Sequence, residues 1–128
     1  MPRVRRTGPT GIVTEEEEVD ELPIAPAAEG RKDDQGKVRM DLLDPYAIEQ
    51  LADVLTFGAT KYAAWNWANG IPYSRLTAAL LRHTFAFLKG ETNDSESGLH
   101  HIAHAMCCCM FILGLSVRKP DCDDRGTN

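Results

Sequence analysis

Residues Leu99 to Leu115 constrain this chain most, because Ile102, Ala103, Met106, Phe111, Ile112 and Leu113 make a helix that is apolar almost all round. A helix without a wet face must be surrounded by other elements, at the centre of a bundle or at an interface between copies. Polar residues nevertheless stand at its start: His100, His101 and His104. His101 and His104 are three apart and His100 and His104 four apart, so either pair presents two nitrogens on one helix face. Burying two imidazoles without a ligand or hydrogen-bond partner is costly. A single core histidine is ordinarily satisfied by one bond; two on an oily helix point to a purpose.

The remaining pattern is also helical. Asp44 followed by Pro45 reads as an N-cap and first helical position, and Ile48, Leu51, Ala52, Leu55, Ala59 and Tyr62 then recur at steps of three and four, predicting a helix from about Pro45 to Lys61. Gly58 falls inside that pattern. Trp65 to Pro72 reads as a loop whose two tryptophans are either a base-stacking lid or a structural plug. Ser74 is expected to cap a second helix ending near Lys89 and Gly90, with Leu76, Ala79, Leu80, His83 and Phe87 on one face. No internal repeat, heptad array or period-two strand pattern appears. The expectation is an all-α fold with three main helices and a single core, since 128 residues leave no room for two.

Composition separates the ends from the middle. Residues 1–30 carry Arg3, Arg5, Arg6, the block Glu15 to Glu18 and a Pro/Ala stretch, and read as a disordered charged tail; 118–128 read as a C-terminal tail; 31–117 form the expected domain. The net charge is −5, but 31–117 hold eight Lys/Arg against nine Asp/Glu, so the acidity lies mainly in the tails. A nearly neutral core without a basic stripe argues against a nucleic-acid binder. Cys107, Cys108 and Cys109 are consecutive and point in different directions on a helix, so they cannot bridge one another, and no CxxC pair suggests zinc. Small buried hydrophobes in a reducing cytosol fit them. The longest apolar run, Ala105 to Leu115, is short for a bilayer span and no apolar leader follows the early arginines, so the expectation is a cytoplasmic protein with no membrane partner.

The candidate chemistry lies between His83 and His104. Glu91, Asp94 and Glu96 place three carboxylates within six residues at a helix junction, where they repel unless a cation or arginine joins them. Such oxygen-rich sets suit Mg2+ or Mn2+, although a plain polar turn uses the same residue types. An antiparallel hairpin of the second and third helices brings Glu91, Asp94, Glu96, His101 and His104 together. His83 lies eight residues before Glu91, about 10 Å along a helix axis, a distance that suits a residue orienting a ligand from behind. Lys37, Arg39, Lys61, Arg75 and Arg82 border this cluster as candidate phosphate grips.

The strings Lys37-Val38-Arg39-Met40-Asp41-Leu42-Leu43, Val54 to Tyr62, Asn66-Trp67, Ser74-Arg75-Leu76, Leu81-Arg82-His83, Gly90 to Asp94, Glu96 to Leu99 and His101-Ile102-Ala103-His104-Ala105 resemble, in order and spacing, the phage dATP/dGTP diphosphohydrolases, MazZ-type members of the MazG-like enzymes. The resemblance covers about residues 31 to 115. It implies a MazG-like helical bundle completed by dimer or tetramer formation, acting in the host-cell cytoplasm. The implied reaction is metal-dependent hydrolysis of dATP or dGTP to monophosphate and pyrophosphate. Read on this chain, it implies Glu91, Asp94, Glu96 and His83 as catalytic and Glu91, Asp94, Glu96, His101 and His104 as ligands of Mg2+ or Mn2+. Lys37, Arg39, Lys61, Arg75 and Arg82 would hold phosphates, and Asn66 and Trp67 would contact the base. MazG-like enzymes place EExxE on one helix and ExxD on the next; the first is missing here, Glu91-x-x-Asp94 sits in a turn, and His101-x-x-His104 is the alternative counterpart. An HD-like phosphohydrolase is a rival reading, weakened by the lack of any His-Asp dipeptide. A nucleotide-sequestering protein without catalysis is another.

Overall fold

The computed structural model describes residues 29–126. The expected tail at 1–30 therefore lies almost wholly outside the described residues. The chain divides into two units, residues 1–38 and 39–128. In the first, the described part is an exposed loop with a turn at Gly36, whose φ is +81° and which lets the Lys37 N–H donate to the Asp34 carbonyl at 3.1 Å.

The second unit is all-helical, with α1 (Pro45–Lys61), α2 (Tyr73–Leu88) and α3 (His101–Arg118). Short 3-10 turns at Met40–Leu42, Asn66–Asn69 and Pro120–Cys122 complete it. Among the described residues there is no strand, only one isolated bridge between Asn93 and His100. The Asp44 carboxylate accepts from the Ala47 N–H at 3.3 Å and Pro45 follows it, so the first helix starts where its capping signal placed it. The second starts one residue before Ser74, at Tyr73, with Pro72 as N-cap. Ser74 is occupied elsewhere: its N–H donates to Asp124 at 2.9 Å and its hydroxyl to the same carboxylate. That contact, and Cys122 packed against the Tyr73, Leu76 and Leu115 cluster, attach residues that composition alone groups with a C-terminal tail.

Helix α3 is the shared partner, packed against both α1 and α2. Its apolar character has a direct consequence for the core, which consists of two clusters strung along it. One holds Val54, Ala103 and Cys107 with Leu51, Leu55, Leu99 and Phe111; the other holds Tyr73, Leu76 and Leu115 with Trp67, Ile71, Phe111 and Ile112. Of the stripe expected on α1, Leu51 and Leu55 pack inward with Val54, whereas Ile48 and Tyr62 stay exposed because only the middle turns of α1 meet α3. By length and composition alone α3 is long and apolar enough to cross a membrane. In this fold it is the bundle's central helix and carries the buried His101 at its start.

Candidate active site

The connection between α2 and α3 is tied at both ends. Gly90, at φ +103°, closes α2: its N–H donates to the Phe87 carbonyl at 2.9 Å and the Glu91 N–H to the Ala86 carbonyl at 3.0 Å, the two bonds of a Schellman cap. At the other end the Asp94 N–H bonds the Leu99 carbonyl at 2.8 Å and the His101 N–H bonds the Thr92 carbonyl at 2.9 Å. The loop is thereby folded back on itself, and it delivers Asp94 to the side chains that begin α3.

His100 does not face the cluster with His104. It is the N-cap of α3, its Nδ1 accepting from the Ile102 N–H at 3.0 Å while its ring leans on Phe87. The imidazoles that turn toward α2 are His101 and His104, and both meet His83. His83 Nδ1 lies 2.9 Å from His101 Nδ1, and the His83 ring stacks on His104 with centroids 4.5 Å apart and planes within 7°. One ring of the 2.9 Å pair must donate and the other accept. The helix-axis spacing from Glu91 that set His83 apart in the sequence is overcome because α3 runs back along α2, so His83 joins His101 and Asp94 with one donor atom from each inside 4.8 Å.

His101 is 4 % exposed, and its Nε2 makes no hydrogen bond, with Glu91 Oε1 3.2 Å away. Its Nε2 therefore faces the Glu91 carboxylate while its Nδ1 faces His83. Asp94 is better served. Its Oδ2 accepts from the Ser97 N–H at 2.9 Å and the Ser97 hydroxyl at 3.1 Å, and Ser97 Oγ in turn lies 2.7 Å from His104 Nε2. With the serine proton given to Asp94, His104 carries its own proton on Nε2 and keeps Nδ1 as an acceptor. Ser97 is the member of this site that sequence reasoning missed. Its only signal was the Asp-x-x-Ser spacing of a turn in which an aspartate accepts from the chain three residues on.

Electrostatics follow from this arrangement. Burial holds His83 and His104 below the ordinary histidine value, reinforced at His83 by the neighbouring His104 and partly opposed by Asp94 at both. Burial by itself would raise Asp94, but the Ser97 bonds and the nearby His104 and His83 together outweigh it and hold the carboxyl below its usual value.

These groups open onto a cleft of about 1450 Å3 lined by α1, the tryptophan turn, α2 and α3. Of the residues singled out in the sequence, Lys61, Asn66, Trp67, Arg75, Arg82, His83, Asp94, Glu96 and His104 line it. His101 lies buried beneath His83, and Glu91 is exposed beside it. Glu96 pairs with Lys61, 2.5 Å from it, which raises the lysine above its ordinary value, and its charge also acts on His104. Arg75 and Arg82, two turns apart on α2, form no ion pair among the described residues. Arg39 pairs with Asp41 at 2.8 Å and does not line the cleft. Lys37 belongs to the other unit. Trp67 is a wedge: its ring stacks on Phe111 at 5.0 Å and presses on the backbone of α3 at Gly114.

Two imidazoles and one carboxylate are a donor set suited to first-row transition ions. Mg2+ instead favours oxygen ligands with retained waters.

Fold and site together define a small helical-bundle protein with a histidine–carboxylate centre opening on a cleft bordered by basic residues. The family described as "dATP/dGTP diphosphohydrolase, N-terminal" matches residues 27–125, and the chain belongs to that family. It is similar to the dATP/dGTP diphosphohydrolase of Salmonella phage PMBT28, being 44% identical over 96 residues, 75% of this chain and 33% of that protein. The chain thus spans about a third of the length of the curated relative it matches. No solved structure matches it.

Proposed function

We propose that this chain hydrolyses purine deoxynucleoside triphosphates, dATP or dGTP, to the monophosphate and pyrophosphate in the cytoplasm of a phage-infected host. The convergence of His83, Asp94 and His101 at a cleft lined by Arg75 and Arg82 carries this reading. The family match and the name of the phage relative support it. His83, His101 and Asp94 would hold a divalent ion, with Glu91 beside the outer nitrogen of His101. Such an ion, when bound, makes water more acidic and neutralises phosphate oxygens.

The protein's own groups do the rest. Both Ser97 bonds fall on Oδ2 of Asp94, which leaves Oδ1 to face an ion. His104, held in its tautomer through Ser97, offers Nδ1 to the water proton, and Asp94 steadies the resulting imidazolium. Arg75, Arg82 and Lys61 meet the charge that builds on the triphosphate. Water oxygen forms the new bond to the α-phosphorus while the bond from that phosphorus to the α,β-bridging oxygen breaks, releasing pyrophosphate. The segment after α3 belongs to the working unit, as its Asp124 contact with Ser74 and the family match through residue 125 suggest. Assembly into a dimer or tetramer fits the apolar strip of Ile102, Met106, Met110 and Leu113 along α3.

Incubation with dGTP or dATP and Mn2+, with products separated by anion exchange, tests the assignment. Monophosphate with pyrophosphate is expected. Inorganic phosphate or tripolyphosphate would indicate an HD-like reaction, and bound but unaltered nucleotide a sequestering protein; either overturns the proposal. His101→Ala should abolish Mn2+ binding measured by calorimetry as well as turnover.

A further inference from the structure

The two tryptophans of the chain stand two residues apart and are used in opposite ways. Trp67 is wedged between Phe111 and Gly114 and fixes the turn to α3. Trp65 lines the same cleft but is 63 % exposed. It is also the only non-glycine among the described residues with positive φ, at φ 63° and ψ 15°. That left-handed conformation is disfavoured for a residue with a bulky side chain and is ordinarily given to Gly, Asn or Asp. A turn that needed only this backbone would be served better by glycine. Strain held at a cleft wall, on a large aromatic ring that does not pack into the core, marks a side chain displayed for a ligand.

What surrounds the ring indicates which ligand. The Arg118 guanidinium lies 5.4 Å from the Trp65 ring centre and 5.8 Å from that of Trp67, and both Arg118 and Trp65 line the cleft. An exposed aromatic ring with a cation over it suits a planar, electron-rich heterocycle. The separation along the cleft suits a nucleotide. His104 and Gly114, over which Trp67 lies, are ten residues apart on α3, about 15 Å of helix axis. That is the length scale of a nucleoside triphosphate, not of free phosphate.

We propose that Trp65 is the stacking platform for the nucleobase, with the Arg118 guanidinium close to the same ring, while Trp67 supports the turn without touching the base. This rests on the hydrolase reading above and moves the base contact from Trp67 to its neighbour. Trp65 is then a binding residue that acts on affinity and not on the bond-breaking step.

The test combines kinetics and fluorescence on the full chain with Mn2+. Trp65→Gly removes the ring and relieves the backbone, so its melting temperature should not fall, while KM for dGTP rises about tenfold with kcat within about twofold. Trp65→Phe should show a smaller rise. Inhibition by tripolyphosphate, which has no base, should be the same in all three proteins. With Trp67→Phe, Trp65 is the sole tryptophan and its emission should still be quenched by dGTP; with Trp65→Phe the quench should vanish. An unchanged KM in Trp65→Gly beside an active parent overturns the stacking role and leaves the hydrolase reading intact. So does an unchanged KM with a lower assembly mass, which would assign the ring to a subunit contact. A parent chain that neither binds nor hydrolyses purine triphosphates removes both.

Discussion

Gly114→Ala tests the wedge on which this view of the tryptophan turn depends. A Cβ built at Gly114 would lie 2.7 Å from Trp67 Cη2 and 2.8 Å from Cζ3, well inside the roughly 3.5–4.0 Å at which carbon atoms rest in contact. The ring cannot yield by rotating one flexible end, because Phe111 stacks on it at 5.0 Å and Trp65 lies 5.8 Å away. Overpacking of this kind costs about 1–3 kcal/mol. Replacing glycine by alanine inside a helix returns about 1 kcal/mol. The net expectation is a loss of about 1 kcal/mol, or about 4–8 °C in melting temperature for a unit of this size. Gly58→Ala in α1, where a Cβ meets nothing within 4 Å, is the matched control and should stabilise by about 0.5–1 kcal/mol. In a Trp67→Leu background Gly114→Ala should reverse sign and stabilise, a coupling of about 2 kcal/mol in a double-mutant cycle. Thermal unfolding followed by circular dichroism measures all of these. If Gly114→Ala stabilised the parent as much as Gly58→Ala does, the wedge would be refuted.

Three further outcomes are expected. His83 and His104 are held below the ordinary histidine value of 6.5, so below that pH the unfolded chain binds more protons than the folded one. The stability they permit is present above about pH 6.5 and is lost as pH falls toward their folded values, and the metal-free protein should melt lower at pH 5 than at pH 7. The decline should flatten in a His83→Gln, His104→Gln double variant; an equal decline there would place its origin elsewhere. Burial pushes the Cys107 thiol up to about 12 and raises Cys108 as well, whereas Cys109 is exposed. A thiol reagent applied to native protein should therefore label Cys109 far faster than Cys107 or Cys108, read by peptide mass spectrometry. Asp44→Ala removes the side-chain cap of α1 and should cost about 1 kcal/mol in urea unfolding, with no effect on Mn2+ affinity.

Much of the candidate site was legible as composition, less as geometry. The oily helix with histidines at its start, the carboxylate-rich junction before it and the arginines of α2 are all features of residue type and spacing. What spacing could not convey was partnership. His100, His101 and His104 are equally eligible by number, yet a cap draws His100 out of the cluster. Glu96 has the same charge as Asp94, but Lys61 lies within reach of one and Ser97 of the other. Trp65 and Trp67 share a loop and a chemistry, and differ only in what lies beneath each ring.

The chain's sequence alone determined that it would be helical, where α1 would begin, and that the third helix would need covering. Those follow from local backbone preference and from the cost of wetting apolar residues, which act within a few residues or over one face. Tertiary structure decided that His83 meets His101, that Ser97 links Asp94 to His104, and that Asp124 returns to Ser74. Each joins groups whose approach depends on how one helix lies along another, a relation that no local preference encodes.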